Sequence, residues 1–208
     1  TTEIYTLSLH DALPICIAIL DGNLTVSLPM DISIMTILDA LSHSFESIWN
    51  KNANEKSTEY AIEAITIILS NVEFLKQNPT DLNVRNKLLE AATKAGLAFS
   101  NTKTAAAHSI SYPLTIRFGI PHGVASSLSL IPLLEINGEH IKEPLDKIYQ
   151  TLDITIDELI QKIKAIPKGI IPYTLSEWGI QEEDLSQLVE ESFTKGRMDN
   201  NIDRKSVV

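Results

Sequence analysis

Apolar residues step along this chain by threes and fours almost from end to end, and that period commits it to helices. Ile34, Leu38, Leu41, Phe45 and Ile48 keep the step, and so do Ala61, Ile65, Ile68, Val72 and Leu75. Leu88, Ala92, Ala95 and Phe99 continue it behind Pro79, with Thr80 as the expected N-cap. Ile141, Leu145, Ile148 and Leu152 mark another helix, and Leu185, Leu188 and Val189 suggest one near the end. Thr155 and Glu158 read as a capping box for the helix carrying Leu159, Ile160 and Ile163. Strand signals are scarce. The best is IAIL at 17–20, followed by the turn dipeptide Asp21-Gly22. The expected fold is mostly α: a helical bundle, fed by the last residues of a preceding α/β domain.

The two ends do not read as native protein. TTEIYTLSLHDALPI, residues 1–15, is an in-frame translation of a common short-read sequencing adapter. DRKSVV, residues 203–208, translates the reverse complement of the same adapter up to its stop codon. Opposite ends carry the match in opposite sense, so His10 and Asp11 are set aside as site candidates. The expected organisation is adapter over 1–15, the end of an α/β domain with its connector over 16–30, a helical metal-binding domain over 31–202, and adapter over 203–208. The native stretch is then an open-ended fragment, truncated on both sides.

Composition narrows the function classes. The formal net charge is −10, and discounting the two end segments barely changes it. An acidic chain with no basic run argues against nucleic acid and against anionic membrane surfaces. The single cysteine, Cys16, rules out a disulfide framework or a thiolate metal cluster. No apolar run approaches the roughly 18 residues a membrane span needs. The expectation is a cytoplasmic protein with a small-molecule substrate.

One constellation carries chemistry. Asp39 and His43 lie four apart on a predicted helix, so both side chains share one face. A carboxylate and an imidazole on an otherwise apolar face need a partner, because burying either alone is costly. His108 and His122 flank SISYPLTIRFGIP, where Pro113, Gly119 and Pro121 are expected to interrupt any helix and fold the second histidine back toward the first. His140, beside Gly138 and Glu139, reads as a surface residue. Taken pair by pair, these are weak signals; an isolated Asp-x-x-x-His is commonly a surface pair. Together, one carboxylate and three neutral imidazoles suit Fe²⁺ or Zn²⁺ and are poor for Ca²⁺ or Mg²⁺.

Those residues stand in stretches that resemble the iron-containing alcohol dehydrogenase family: LDGNLTVSLP (20–29), LDALSHSFE (38–46), AIEAI (61–65), LLEAATKAGLAFSNT (88–102), HSISYPLTIRFGIPHG (108–123) and GRMDNN (196–201). The resemblance implies that Asp39, His43, His108 and His122 are the metal ligands. It implies that the metal polarises a substrate oxygen for hydride transfer between NAD(H) or NADP(H) and a small alcohol or aldehyde. It also implies an N-terminal dinucleotide-binding domain, which the fragment would lack, leaving it inactive alone; the parent enzyme would be a homo-oligomer. No Gly-rich phosphate loop is present, as that reading requires.

The sequence departs from the family's pattern at one position. Many members carry a further histidine four residues after the third ligand, where this chain has Tyr112. Tyr112 could hydrogen-bond a substrate oxygen or simply pack. TKTAAAHSISYPLT looks most like the branch that reduces phosphonoacetaldehyde, a substrate that needs cations near the metal; Lys103 and Arg117 flank the ligand segments. Two alternatives stay open: a zinc enzyme like glycerol dehydrogenase or dehydroquinate synthase, and a metal-free helical interaction module. The module predicts that the four candidate ligands lie far apart.

Overall fold

The computed structural model describes residues 18–203. Nine α-helices form among them: α1 (Met30–Ile48), α2 (Glu55–Gln77), α3 (Leu82–Thr102), α4 (Ala106–Phe118), α5 (His122–Ser127), α6 (Leu130–Asn137), α7 (Lys142–Leu152), α8 (Ile156–Ala165) and α9 (Glu182–Ser192). The adapter-like segments lie outside the described residues, apart from Asp203. Residues 18–20 are exposed and have no regular structure, so the expected strand is absent there. A strand needs a neighbouring ladder, and the only β pairing among the described residues is an isolated bridge between Asn50 and Asn201. Asp21-Gly22 instead opens a 3₁₀ turn, Gly22–Thr25, capped by the Asp21 carboxylate.

Helix α1 is the centre of the bundle, packed against α2, α3, α4 and α5. Its predicted apolar stripe is buried throughout, and so are Ser42, Ser44 and Ser47 on its other faces. Each of these hydroxyls donates back to the carbonyl four residues earlier, at 2.7–2.8 Å. Small, self-satisfied polar residues therefore let a helix be surrounded without leaving unpaired groups.

The predicted stripe on α2 is buried as expected, and the Thr155–Glu158 capping box forms at the start of α8. Three details differ. Asp81, not Thr80, caps α3, its carboxylate accepting from the N–H groups of Asn83 and Val84. Ala92 is exposed; the inward stripe of α3 runs through Leu88, Ala91, Ala95 and Ala98, one residue off the expected line. Of the three apolar positions expected on α9 only Leu188 is buried, while Leu185 and Val189 face an open apolar cleft. Among the described residues no helix is long and apolar enough to cross a membrane.

Candidate metal centre

Helix α1 presents Asp39, His43 and Glu46 at positions i, i+4 and i+7 of one face. Helix α4 supplies His108 and α5 supplies His122. Pro113 does not interrupt α4, contrary to expectation: it is buried inside the helix. The chain turns only after Phe118, where Gly119 takes the left-handed conformation (φ 68°) that ends helices. Ile120 then anchors in the core, fully buried. Pro121 (φ −54°) stands immediately ahead of α5, and His122 is that helix's first residue. Gly123 lets α5 sit directly on α1. A Cβ there would lie 2.0 Å from the Met35 carbonyl oxygen and 3.1 Å from the Asp39 Cβ.

All four predicted residues gather at Asp39: ligand atoms of Asp39, His43 and His108 lie within 4.8 Å of one another, and His122 joins them through its contact with Asp39. Asp39 Oδ2 lies 3.5 Å from His43 Nε2, and its Oδ1 lies 3.6 Å from both His108 Nε2 and His122 Nε2. The rings are layered: His43 stacks on Phe99 and on His108 at 4.2 Å centroid separations. Exposure is graded, the His108 side chain being 2% exposed and that of His122 44%. Solvent, and any small molecule, therefore reaches the cluster from the His122 side.

Glu46 is the residue the sequence reading missed. It is fully buried. One carboxylate oxygen accepts from the His108 backbone N–H at 3.0 Å, and the other lies 2.5 Å from His108 Nδ1. Nδ1 faces Glu46, so Nε2 is the nitrogen turned into the cluster, where this buried atom has no hydrogen-bond partner. The signal was available: Glu46 sits three residues beyond His43 on the same helix face. Ser126 adds a second contact that spacing did not reveal, its hydroxyl donating to Asp39 Oδ1 at 3.3 Å.

The electrostatics follow from this geometry. Burial alone would raise the Asp39 pKa, but the His108 and His43 imidazoles beside it outweigh burial and hold the carboxyl far below its usual range. Burial would lower His108, yet Asp39 and Glu46 on its two nitrogens push it up to about 9. His122 is lowered, first by burial and then by the neighbouring His108 and His43, against the pull of Asp39. A half-buried carboxylate ringed by imidazole nitrogens, one with no partner, is a donor set that fits a borderline divalent cation. The metal-free module predicted scatter, and the cluster does not scatter.

The other candidates are distributed around this centre. The Tyr112 ring is tilted 6.2 Å from that of His122, with the Arg197 guanidinium 4.4 Å above it. Lys103 is exposed at the end of α3. Arg117, in the last turn of α4, faces α9, 3.7 Å from Asp184 and 3.8 Å from Glu191. His140 is exposed, as expected, and approaches Asp203 at 3.7 Å.

The fold and the cluster together define a helical domain built around a candidate metal centre. The chain belongs to the iron-containing alcohol dehydrogenases: the family model described as "Fe-containing alcohol dehydrogenase family, C-terminal" matches residues 33–206. It is similar to long-chain-alcohol dehydrogenase 1 of Geobacillus thermodenitrificans, 28% identical over 91% of this chain and 50% of that protein. It is also similar to the NADPH-dependent butanol dehydrogenase of Clostridium saccharobutylicum, 29% identical over 84% of this chain and 46% of that one. The crystal structure of sulfoacetaldehyde reductase from Bifidobacterium kashiwanohense in complex with NAD⁺ superposes with a TM-score of 0.78 at 29% identity, covering 90% of this chain and 51% of that one. The chain thus spans about half the length of the curated relatives it matches.

Proposed function

We propose that Asp39, His43, His108 and His122 hold one divalent cation, Fe²⁺ or Zn²⁺, in an enzyme that interconverts a small alcohol and its aldehyde with NAD(H) or NADP(H). The observation that carries this reading is the meeting of three imidazole Nε2 atoms at the Asp39 carboxylate, 3.5–3.6 Å away, one of them buried without a partner. When bound, the metal supplies a Lewis acid for the substrate oxygen and the coenzyme supplies the hydride. Relatives include an NADPH-dependent enzyme and one crystallised with NAD⁺, so either coenzyme is compatible with the family. We place coenzyme binding in the half of the relatives' length that this chain does not span.

The chain's own residues have distinct tasks in this reading. Glu46 keeps the proton on His108 Nδ1, which fixes the tautomer and turns Nε2 inward. Phe99 and His108 enclose the His43 ring and exclude water from that side. The exposed edge of His122 leaves the approach through which an aldehyde enters. Tyr112, beside His122, is positioned to donate a hydrogen bond to the substrate. The TKTAAAHSISYPLT stretch, and the likeness to a reductase of sulfoacetaldehyde, favour an aldehyde bearing an acidic group, phosphonoacetaldehyde among them.

The test is His122→Ala. Titration of the purified chain with Zn²⁺ or Co²⁺ is expected to show at least about a 10-fold loss of affinity. Aldehyde reduction by the full-length enzyme carrying this chain should fall with it. Unchanged metal affinity in the variant would refute the ligand assignment.

A further inference from the structure

We infer that a basic cleft beside the metal cluster, formed by Lys103, Lys195 and Arg197, takes the acidic end of the substrate as a phosphonate or sulfonate. The inference deepens the aldehyde reading above and rests on it. The cleft lies between the end of α3 and the segment after α9, and Phe99 forms one wall. No acidic side chain lines it. The chain has 27 acidic and 17 basic residues, so cations that meet without carboxylates are unusual in it. Among the described residues none of these three is in an ion pair, whereas Arg117, the cation the sequence suggested, is held by Asp184 and Glu191. The segment's own carboxylate, Asp199, accepts from the Gly196 N–H.

The cleft is built rather than incidental. Lys103 has φ 67°, a left-handed conformation that costs a non-glycine residue on the order of 1 kcal/mol. Three amides hold the strand of backbone around it. Asn52 Nδ2 donates to the Thr102 carbonyl at 3.2 Å, Asn50 Nδ2 to that of Lys103 at 3.0 Å, and Asn200 Nδ2 to that of Thr104 at 2.9 Å. Asn200 also donates to the Gly196 carbonyl, which ties the two walls together.

Two aromatic rings connect the cleft to the candidate ligands. Phe99 stacks on His43 at 4.2 Å, and Arg197 sits 4.4 Å over Tyr112, whose ring is 6.2 Å from that of His122. Arg197 thus stands two ring contacts from His122, on the exposed side of the cluster, and its guanidinium suits a tetrahedral oxyanion by bidentate hydrogen bonding.

The experiment uses the whole chain, with and without Zn²⁺, and compares 2-hydroxyethylphosphonate, 2-hydroxyethylsulfonate and neutral 1-propanol by calorimetry. The anions should bind at least about 10-fold more tightly than 1-propanol, and less tightly as salt is raised. Arg197→Gln and the exposed-site variant Lys195→Gln should each erode that preference while leaving Zn²⁺ affinity unchanged. The better of the two anions identifies the acid. Equal binding of anions and propanol overturns the inference. So does a preference that survives Arg197→Gln and Lys195→Gln but disappears in His122→Ala, because the anion is then seated on the metal. NADPH binding lost in the same two variants, with no phosphonate or sulfonate binding, also overturns it. Failure of the wild-type chain to bind Zn²⁺ counts against the metal reading; the cleft is then judged by anion binding to the metal-free chain.

Discussion

The two sides of the cluster are built by opposite means. On one side α1 runs unbroken through Asp39, His43 and Glu46, and ordinary helical spacing aligns them. On the other, His108 and His122 reach the same point only because the chain stops at Gly119, re-enters at Pro121 and presses α5 onto α1 through Gly123. A regular element positions ligands by its period. A broken one positions them by exceptions, and each exception is a place where a single change can open the site. Gly123→Ala is the sharpest such change, because the new methyl would meet backbone, which cannot rotate away. We expect a loss of about 3 kcal/mol in urea unfolding, with metal affinity falling in parallel. On the α1 side, Ser44→Ala deletes a buried hydroxyl that bonds only within its own helix and should leave metal affinity unchanged; equal effects would erase the contrast.

Glu46 is where the regular side reaches across to the broken one. Glu46→Gln keeps the shape but removes the charge that holds the His108 ring proton, and Glu46→Ala removes both contacts. Metal affinity should drop about 10-fold in the first and up to about 100-fold in the second. Isotope-resolved imidazole NMR should show His108 losing its fixed tautomer. A His108 that keeps its tautomer in Glu46→Ala would mean that the packing of α4, not the carboxylate, orients the ring.

The end of α5 is pinned from elsewhere. The Tyr173 hydroxyl donates to the Ser127 carbonyl at 2.8 Å, and burial raises the Tyr173 pKa from 10.0 to about 12. Below pH 10 both folded and unfolded chains carry the neutral phenol, so the interaction is fully present. Between pH 10 and about 12 only the unfolded chain ionises at this residue, and stability falls as pH rises. The loss across that window should be on the order of 2 kcal/mol. Tyr173→Phe should cost about 1 kcal/mol at neutral pH and remove that part of the alkaline slope, which unfolding at pH 7, 10 and 11.5 would check.

This contrast also sets what could be read from residue order. The α1 stripe, the α2 stripe and the Thr155–Glu158 box follow local rules, and all form as expected. The four clustered residues were recognisable because an ordered motif carries more information than any pair within it. Glu46 went unread because a carboxylate at helical spacing is usually a solvated one; only burial gives it a role. Pro113 misled because its cost in a helix interior is a local argument, which the packing of α4 against α5 and α9 overrode. Arg197 and Lys195 could not have been placed beside Phe99, almost a hundred residues earlier in the chain, because nothing in the spacing links the end of α3 to the segment after α9. The exposed Leu185 and Val189 show the remaining limit: helical period marks which residues share a face, not what covers that face.

The smallest expected effect separates the two glycines of the broken side by cause. Gly123 is needed for space, whereas Gly119 has nothing within 4 Å of the position a Cβ would take, and is needed only for its conformation (φ 68°). Gly119→Ala should therefore cost about 1 kcal/mol, the price of holding an ordinary residue in the left-handed region. Gly119→Asn should cost less, since asparagine tolerates that region. Neither should change metal affinity much once the protein is folded, because Ile120 and Pro121 still set the entry into α5. At Gly123 the order reverses, with Asn worse than Ala because the obstruction is steric. Urea midpoints for the four variants, with metal titrations on the same samples, test both orders at once. If Gly119→Asn proves as damaging as Gly119→Ala, backbone conformation is not what this turn selects for, and the division between space and conformation fails.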